Sequence, residues 1–165
     1  MDKQLQVLSY KVADLLKSGN QTIAISESSA GGLISAHLLS IPGASAYYIG
    51  GVVVYTRSAQ KGFLGVSDED MEGLRSSTES YCLLNARKVK DVLGTTWGIA
   101  ETGAAGPTGN RYGDSAGHSC VGVSGPKEKV ITLETGESNR SENMEAFTEA
   151  SLNLLIGCIE LSRVP

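Results

Sequence analysis

Thr22–Gly32, TIAISESSAGG, runs from a short β-branched and apolar stretch straight into a glutamate, paired serines, an alanine and two glycines, and LISAHLLS follows at once. The pattern predicts strand, tight turn, helix. Hydroxyls and backbone N–H groups gather at the start of that helix, where unpaired donors and the macrodipole favour an anion or a developing oxyanion. Chemistry or ligand binding is therefore expected at this turn.

Outward from it, the rest of the chain alternates in kind. Leu5, Val7, Leu8, Val12, Leu15 and Leu16 recur at three- and four-residue spacing, an amphipathic helix from Lys3 to Leu16 ended by Ser18-Gly19-Asn20. Gly31 to Ser40 is a helix stopped by Pro42-Gly43. Tyr47 to Thr56, YYIGGVVVYT, is the strongest strand and is expected to be central, with Gly50-Gly51 marking a bulge or a close backbone approach. A short helix over Arg57 to Leu64, a capped turn of helix at Ser67 and Asp70, and a long amphipathic helix over Ser77 to Leu93 come next. Thr96 to Ala100 reads as a strand, and ETGAAGPTGNRYGDSAG after it as a glycine-rich loop too polar for the core. His118 to Gly125 and Lys129 to Glu134 form a hairpin about Gly125-Pro126-Lys127, and a last helix runs from about Ser141 to Ser162. The expected fold is a single-domain α/β protein, a three-layer α/β/α sandwich with a mixed sheet.

Composition narrows the function classes. The 165 residues make one ordinary domain, and 20 glycines with 5% aromatics suggest many tight turns and a core of small aliphatic residues. A formal charge of −4, with Lys and Arg scattered, offers no basic stripe for nucleic acid and no polybasic anchor for a membrane. No apolar run reaches the roughly 20 residues that span a bilayer, and the opening MDKQLQVLSYKV is amphipathic, unlike a signal peptide; a cytoplasmic protein is expected. Cys82, Cys120 and Cys158 are widely spaced, without CxxC or clustered histidines, so neither a disulfide framework nor a metal site is supported.

The glycine-rich turns at Ser28–Gly32 and Thr102–Gly109 follow predicted strands, and in open α/β sheets such turns line one crevice beyond the strand ends. No Walker, Rossmann, GxSxG or HExxH pattern is present. Serine at the helix start is either a cap or a nucleophile. As nucleophile it needs a base, for which His37, His118 and a burial-neutralised Lys61 are the candidates.

ESSAGG at Glu27 to Gly32, IPGASAYYIGGVVVYT at Ile41 to Thr56, the spacing from Tyr55 to Leu64-Gly65-Val66, and TGAAGPTG at Thr102 to Gly109 together resemble the C-terminal domain of the competence/damage-inducible protein CinA. That family includes stand-alone nicotinamide mononucleotide deamidases. The resemblance spans most of the chain. It implies hydrolysis of a carboxamide to nicotinate mononucleotide and ammonia, without metal or other cofactor, on a pyridine nucleotide substrate, in a homo-oligomer. The family's E-S-C-T-G-G serine falls on Ser28, with Ser29 and Ala30 in place of its Cys and Thr. Its Y-S-N-x-x-K tyrosine falls on Tyr55, and its T/S-G-x-A-G-P loop on Thr102 to Pro107.

Carried over this way, Ser28, Tyr55, Thr102 and Lys61 are the catalytic candidates. Glu27, Ser29, Gly31, Gly32, Gln60, Gly103, Ala104, Gly106 and Arg140 are the substrate-binding ones. Gln60 stands where the family has its lysine, and Lys61 is one residue late, about 100° round a helix. The family's K-P-V-G becomes Asp114-Ser115-Ala116-Gly117, and its second G-x-R-x-x-x-R arginine falls on Met144. Two functions follow: an amidohydrolase with Ser28 as nucleophile, or a homologue that binds a nucleotide or partner without turnover.

Overall fold

A computed structural model describes residues 2–165. Helix α1 (Lys3–Ser18) starts on Asp2, whose carboxylate accepts the N–H groups of Gln4 and Leu5. Strand β1 (Ile23–Glu27), α2 (Leu33–Leu39), a 3₁₀ turn at Ala44–Ala46 and β2 (Tyr48–Val53) follow. Helices α3 (Arg57–Leu64) and α4 (Glu79–Leu93) are each capped by a threonine, Thr56 and Thr78, and each ends on a left-handed glycine, Gly65 and Gly94. Strands β3 (Trp97–Ala104), β4 (His118–Ser124) and β5 (Lys129–Glu134) precede the long helix α5 (Arg140–Ser162).

The strands form one mixed sheet in the order β2-β1-β3-β4-β5. β1 is parallel to both β2 and β3, and β3, β4 and β5 are antiparallel in turn. One face of the sheet packs through Ile25, Ile99, Val121 and Val123 against Leu16 of α1, Ile34 of α2 and Leu152 of α5. The other face is built of small residues, Ala24, Ala100 and Cys120, against Val89, Ala86 and Cys82 of α4. This is the three-layer α/β/α sandwich with a mixed sheet. Cys82, Cys120 and Cys158 are buried and unpaired, and burial pushes all three thiols up.

Three expectations are corrected. The strongest apolar run, β2, is an edge strand: β1 takes β2 on one side and β3 on the other, and β2 alternates half-buried with exposed while β1 and β4 are buried throughout. Apolar content set its burial potential but not its neighbours. Its glycines do mark a close approach, since a Cβ on Gly51 would lie 2.9 Å from Ser35 Oγ, and a register shift opposite Tyr48–Gly50 marks a bulge. Next, the predicted loop after Ala100 is strand as far as Ala104, with Glu101 and Thr102 buried beside Val121 and Cys120 of β4. Lastly, Ser67 and Asp70 exchange the expected capping bonds at 2.9 and 3.0 Å, but only turns follow them.

Among the described residues no helix is long and apolar enough to cross a membrane, and no group of His, Cys, Asp and Glu is arranged to hold a metal.

The small-residue face lets α4 lie close on the sheet. A Cβ on Gly98 of β3 would overlap the Ala86 carbonyl oxygen and stand 2.7 Å from Lys90 Cβ, so neither neighbour can yield without moving the helix. Gly98→Ala is expected to cost about 2–3 kcal/mol by overpacking. The urea unfolding midpoint measures it, and an unchanged midpoint would show that α4 is free to move outward.

Candidate functional site

Because β1, β2 and β3 run parallel, their carboxyl ends lie together at one edge of the sheet. Ser28 and Tyr55, which follow β1 and β2, and Thr102 with Gly103, in the last residues of β3, line a cleft of about 680 Å³. A smaller recess of about 220 Å³ shares Tyr55, Gly103 and Asn110 and adds Ser29, Gly106 and Arg140.

The turn after β1 is held from beneath by two buried carboxylates. Glu27 turns its own side chain onto the start of α2, where one oxygen accepts the N–H groups of Gly32 and Ile34 at 2.9 and 3.0 Å and the other that of Ser35 at 2.8 Å. Gly32 supplies no side-chain cap, so Glu27 takes that role. Glu101, from β3, accepts the N–H groups of Ser28 and Ala30 at 3.1 and 2.8 Å on one oxygen. Its other oxygen accepts the hydroxyls of Ser29 and of Ser119, the latter at 3.2 Å. Burial pushes the Glu101 carboxyl up, against the pull of the hydroxyl and N–H donors.

These bonds revise what the sequence expected of the turn. The donors at the helix start are already satisfied by protein carboxylates, so the anion that the macrodipole favours is built in. Glu27 is wholly buried and faces the helix, not the cleft. Gly31 and Gly32, at φ +67° and +102°, line neither cavity; they make the turn, and a Cβ on Gly31 would also come within 2.9 Å of Met144 Cε.

Ser28 is half-buried on the cleft wall and Thr102 is buried beside it. Arg140, at the start of α5, donates to the Gly106 carbonyl at 2.6 Å and to the Tyr55 hydroxyl at 3.2 Å, so it ties the glycine-rich loop to the end of β2. Ala104 lines the smaller recess with them. The pair at 60 and 61 divides sharply. Gln60 is fully buried and donates to Asn85 Oδ1 at 2.7 Å. Lys61 is the next residue round α3; its side chain is 61% exposed, pairs with Asp68 at 3.3 Å and lines neither cavity. Among the described residues no lysine, histidine or carboxylate lines the larger cleft. His37 is buried on α2, where burial lowers its pKa, and His118 opens β4 with its ring against Glu134 of β5; neither lines either cavity.

The cleft's cations are arginines that sequence reasoning missed. Arg57, three residues before Gln60, donates to Gln60 Oε1 at 3.0 Å and to the Val66 carbonyl at 3.1 Å. Arg75 grips Asp114 through two bonds of 2.8 and 3.2 Å and stacks over the Tyr112 ring 5.0 Å away, with Arg111 on the same ring at 5.2 Å. The hydrogen bonds of Arg75 hold the Asp114 carboxyl below its ordinary range. Asp114 also accepts from Asn110 Nδ2 at 2.8 Å, so one carboxylate joins both cleft walls. A cleft lined by arginines, with the exposed Tyr55 ring at its edge, suits an anionic ligand that carries a flat ring. The signal in the sequence was the RY and D inside a glycine-rich loop, read there only as polarity.

Residues 5–159 match the model of the CinA C-terminal domain. A CinA-like protein from Nostoc sp. is 39% identical over 126 residues, covering 76% of this chain and 30% of the relative. One from Salinibacter ruber is 36% identical over 145 residues, covering 88% and 35%. The chain thus spans about a third of the length of these relatives. Among solved structures, a CinA superfamily protein from Enterobacter cloacae superposes with a TM-score of 0.87 at 26% identity, covering 94% of this chain and 92% of that one. Another from Klebsiella pneumoniae reaches 0.89 at 20% identity, covering 95% and 98%, a likeness of fold.

The two carboxylates differ in what an amide could replace. All three Glu27 partners are backbone donors, so Glu27→Gln turns an NH₂ group onto an N–H and is expected to cost about 2–3 kcal/mol. At Glu101 an amide oxygen can keep the two backbone donors while its NH₂ group faces serine hydroxyls, which can rotate to accept. Glu101→Gln is therefore expected to cost less than about 1 kcal/mol, and Glu101→Ala about 2–3 kcal/mol. Urea unfolding of the three variants checks the order, and equal losses for the two glutamines would contradict it.

Proposed function

The chain belongs to the CinA C-terminal domain family, and from that premise we propose that its cleft binds a pyridine nucleotide without the serine–lysine hydrolysis that the family resemblance implies. The ring end is assigned to Ser28 and Thr102, and the anionic end to the arginines of the opposite wall. The observation that carries this reading is the placement of residues 60 and 61. Hydrolysis of the carboxamide begins with transfer of the Ser28 proton to a base as its oxygen attacks the carbonyl carbon. The family's lysine position holds a buried amide whose oxygen is occupied by Arg57, and the one neighbouring amine is turned to solvent on Asp68. Arg57 keeps a positive charge at that wall, but a guanidinium stays protonated and accepts nothing.

The amidase reading, conversion of nicotinamide mononucleotide to nicotinate mononucleotide and ammonia, keeps in its favour the position of Ser28 on the cleft wall beside Thr102. One experiment separates the two. With nicotinamide mononucleotide, wild type is expected to release ammonia no faster than Ser28→Ala while its thermal midpoint rises with ligand, the stabilisation growing as RT ln(1 + [L]/Kd) to about 2.7 kcal/mol at one hundred times Kd. Restoring the family motif with Arg57→Asn and Gln60→Lys together is expected to raise ammonia release by roughly 10²-fold, the scale of a positioned general base. Wild-type release well above the serine variant would establish the amidase instead, and no thermal shift with either mononucleotide would remove both. Light scattering on the same samples reads the homo-oligomeric state expected from the family; a mass of one chain would set that expectation aside.

A further inference from the structure

Ser77 sits in the cleft wall at φ +61°, a left-handed conformation that a serine holds only when its surroundings impose it. Its carbonyl accepts a hydrogen bond from His118 Nε2 at 2.8 Å. The other ring nitrogen, Nδ1, meets the Glu134 carboxylate. A backbone carbonyl and a carboxylate are both acceptors and offer no hydrogen, so each imidazole nitrogen carries its own. The ring in this geometry is an imidazolium. We propose that His118 is a positioning residue for the cleft, its doubly protonated ring holding the Arg75–Ser77 wall in the ligand-binding conformation, so that ligand affinity follows the protonation of this one side chain. This rests on the reading of the cleft as a nucleotide site.

The groups around the ring act together. From β5 it faces Glu134, and from the glycine-rich loop Asp114, whose Oδ2 is 3.8 Å from Nε2 and which is itself gripped by Arg75. On its own strand Cys120 Sγ lies 3.9 Å away, and from α4 Glu79 accepts the Thr132 hydroxyl beside that thiol. Burial alone would lower the His118 pKa; the bonds to Glu134 and to Ser77, with the charges of Asp114 and Glu134, outweigh it and leave it above 6.5. The ring thus keeps its charge to higher pH than a free imidazole, and its hold on the wall is lost as pH rises through the raised value. Neutral imidazole donates from one nitrogen only. The other then turns a lone pair toward an acceptor, and if that acceptor is Ser77, its carbonyl keeps only the weak donor of the Cys120 thiol at 3.6 Å, and the left-handed backbone loses its strongest tie. Arg75 and Ser76, next to Ser77 in the chain and both in the cleft wall, move with it.

The test is a pH titration of ¹⁵N-labelled protein read at the His118 ring and at the Ser76 and Ser77 amides, beside nicotinamide mononucleotide binding by calorimetry. Both ring nitrogens are expected to remain protonated above pH 6.5, and the two amides to shift with the same midpoint. The Kd is expected to rise about tenfold as pH crosses it. His118→Gln is expected to bind at the weaker level throughout; titration of the ligand's phosphate is common to both proteins and cancels in their ratio. A neutral ring at pH 6.5, amides that ignore its titration, or a wild-type to variant ratio independent of pH would each overturn the proposal. If the mononucleotide binds at no pH, the nucleotide reading fails, and the ring and amide titrations still decide whether His118 holds the wall.

Discussion

Everything at the cleft depends on two carboxylates that never face it. A strand that ends and turns at once into a seven-residue helix leaves a row of backbone N–H groups with no partner of their own. In open α/β sheets that row is often offered to a ligand. Here Glu27 and Glu101 take it, one from the strand that makes the turn and one from its neighbour β3. The consequence is geometric and electrostatic at once: the turn is rigid enough to present Ser28 to the cleft, and its helix end is already neutralised. Affinity for an anion has to come from side chains on the other walls.

Those side chains form a connected set. Arg75, Asp114 and Asn110 link the segment before α4 to the glycine-rich loop, Arg140 links that loop to the end of β2, and Arg57 fixes Gln60 from the first turn of α3. Each cation is held by protein acceptors before any ligand arrives. Side chains ordered in advance lose less entropy on binding, and a guanidinium shared with a carboxylate can still present free N–H groups to the cavity. Asp114 matters twice over, since it grips Arg75 and accepts from Asn110, joining the two walls through one carboxylate.

How much of this was legible in the sequence follows from where each partner sits. The strand and helix at Ile23–Leu39 were readable because β-branching, the paired glycines and the helical run are local. The edge position of β2 was not, because apolar strength reports that a strand can be buried, whereas sheet order depends on which side of β1 the next crossover lands. Glu101 looked like loop because its partners, the turn at Ser28–Ala30 and Ser119, lie far off in the sequence. The division between Gln60 and Lys61 was legible as an angle. Thr56 caps α3 so that the helix begins at Arg57, Gln60 then points inward, and one residue further round the cylinder the lysine points out. What the sequence could not supply was the arginine: nothing in RSAQK marks Arg57 as the partner of Gln60 until the helix phase is known.

That exchange of residue types has a chemical limit. A lysine amine in a dry wall can lose its proton near neutral pH, because burial penalises the charged form and the neutral amine is a competent base. The guanidinium spreads its charge over a plane, is more weakly hydrated, and stays protonated in the same setting. On the proposed binding function, a wall with Gln60 and Arg57 therefore offers an anionic ligand a fixed charge and offers Ser28 no group able to take its proton. Binding and turnover come apart at this point, since the first needs only a fixed cation and the second needs one that can be neutralised.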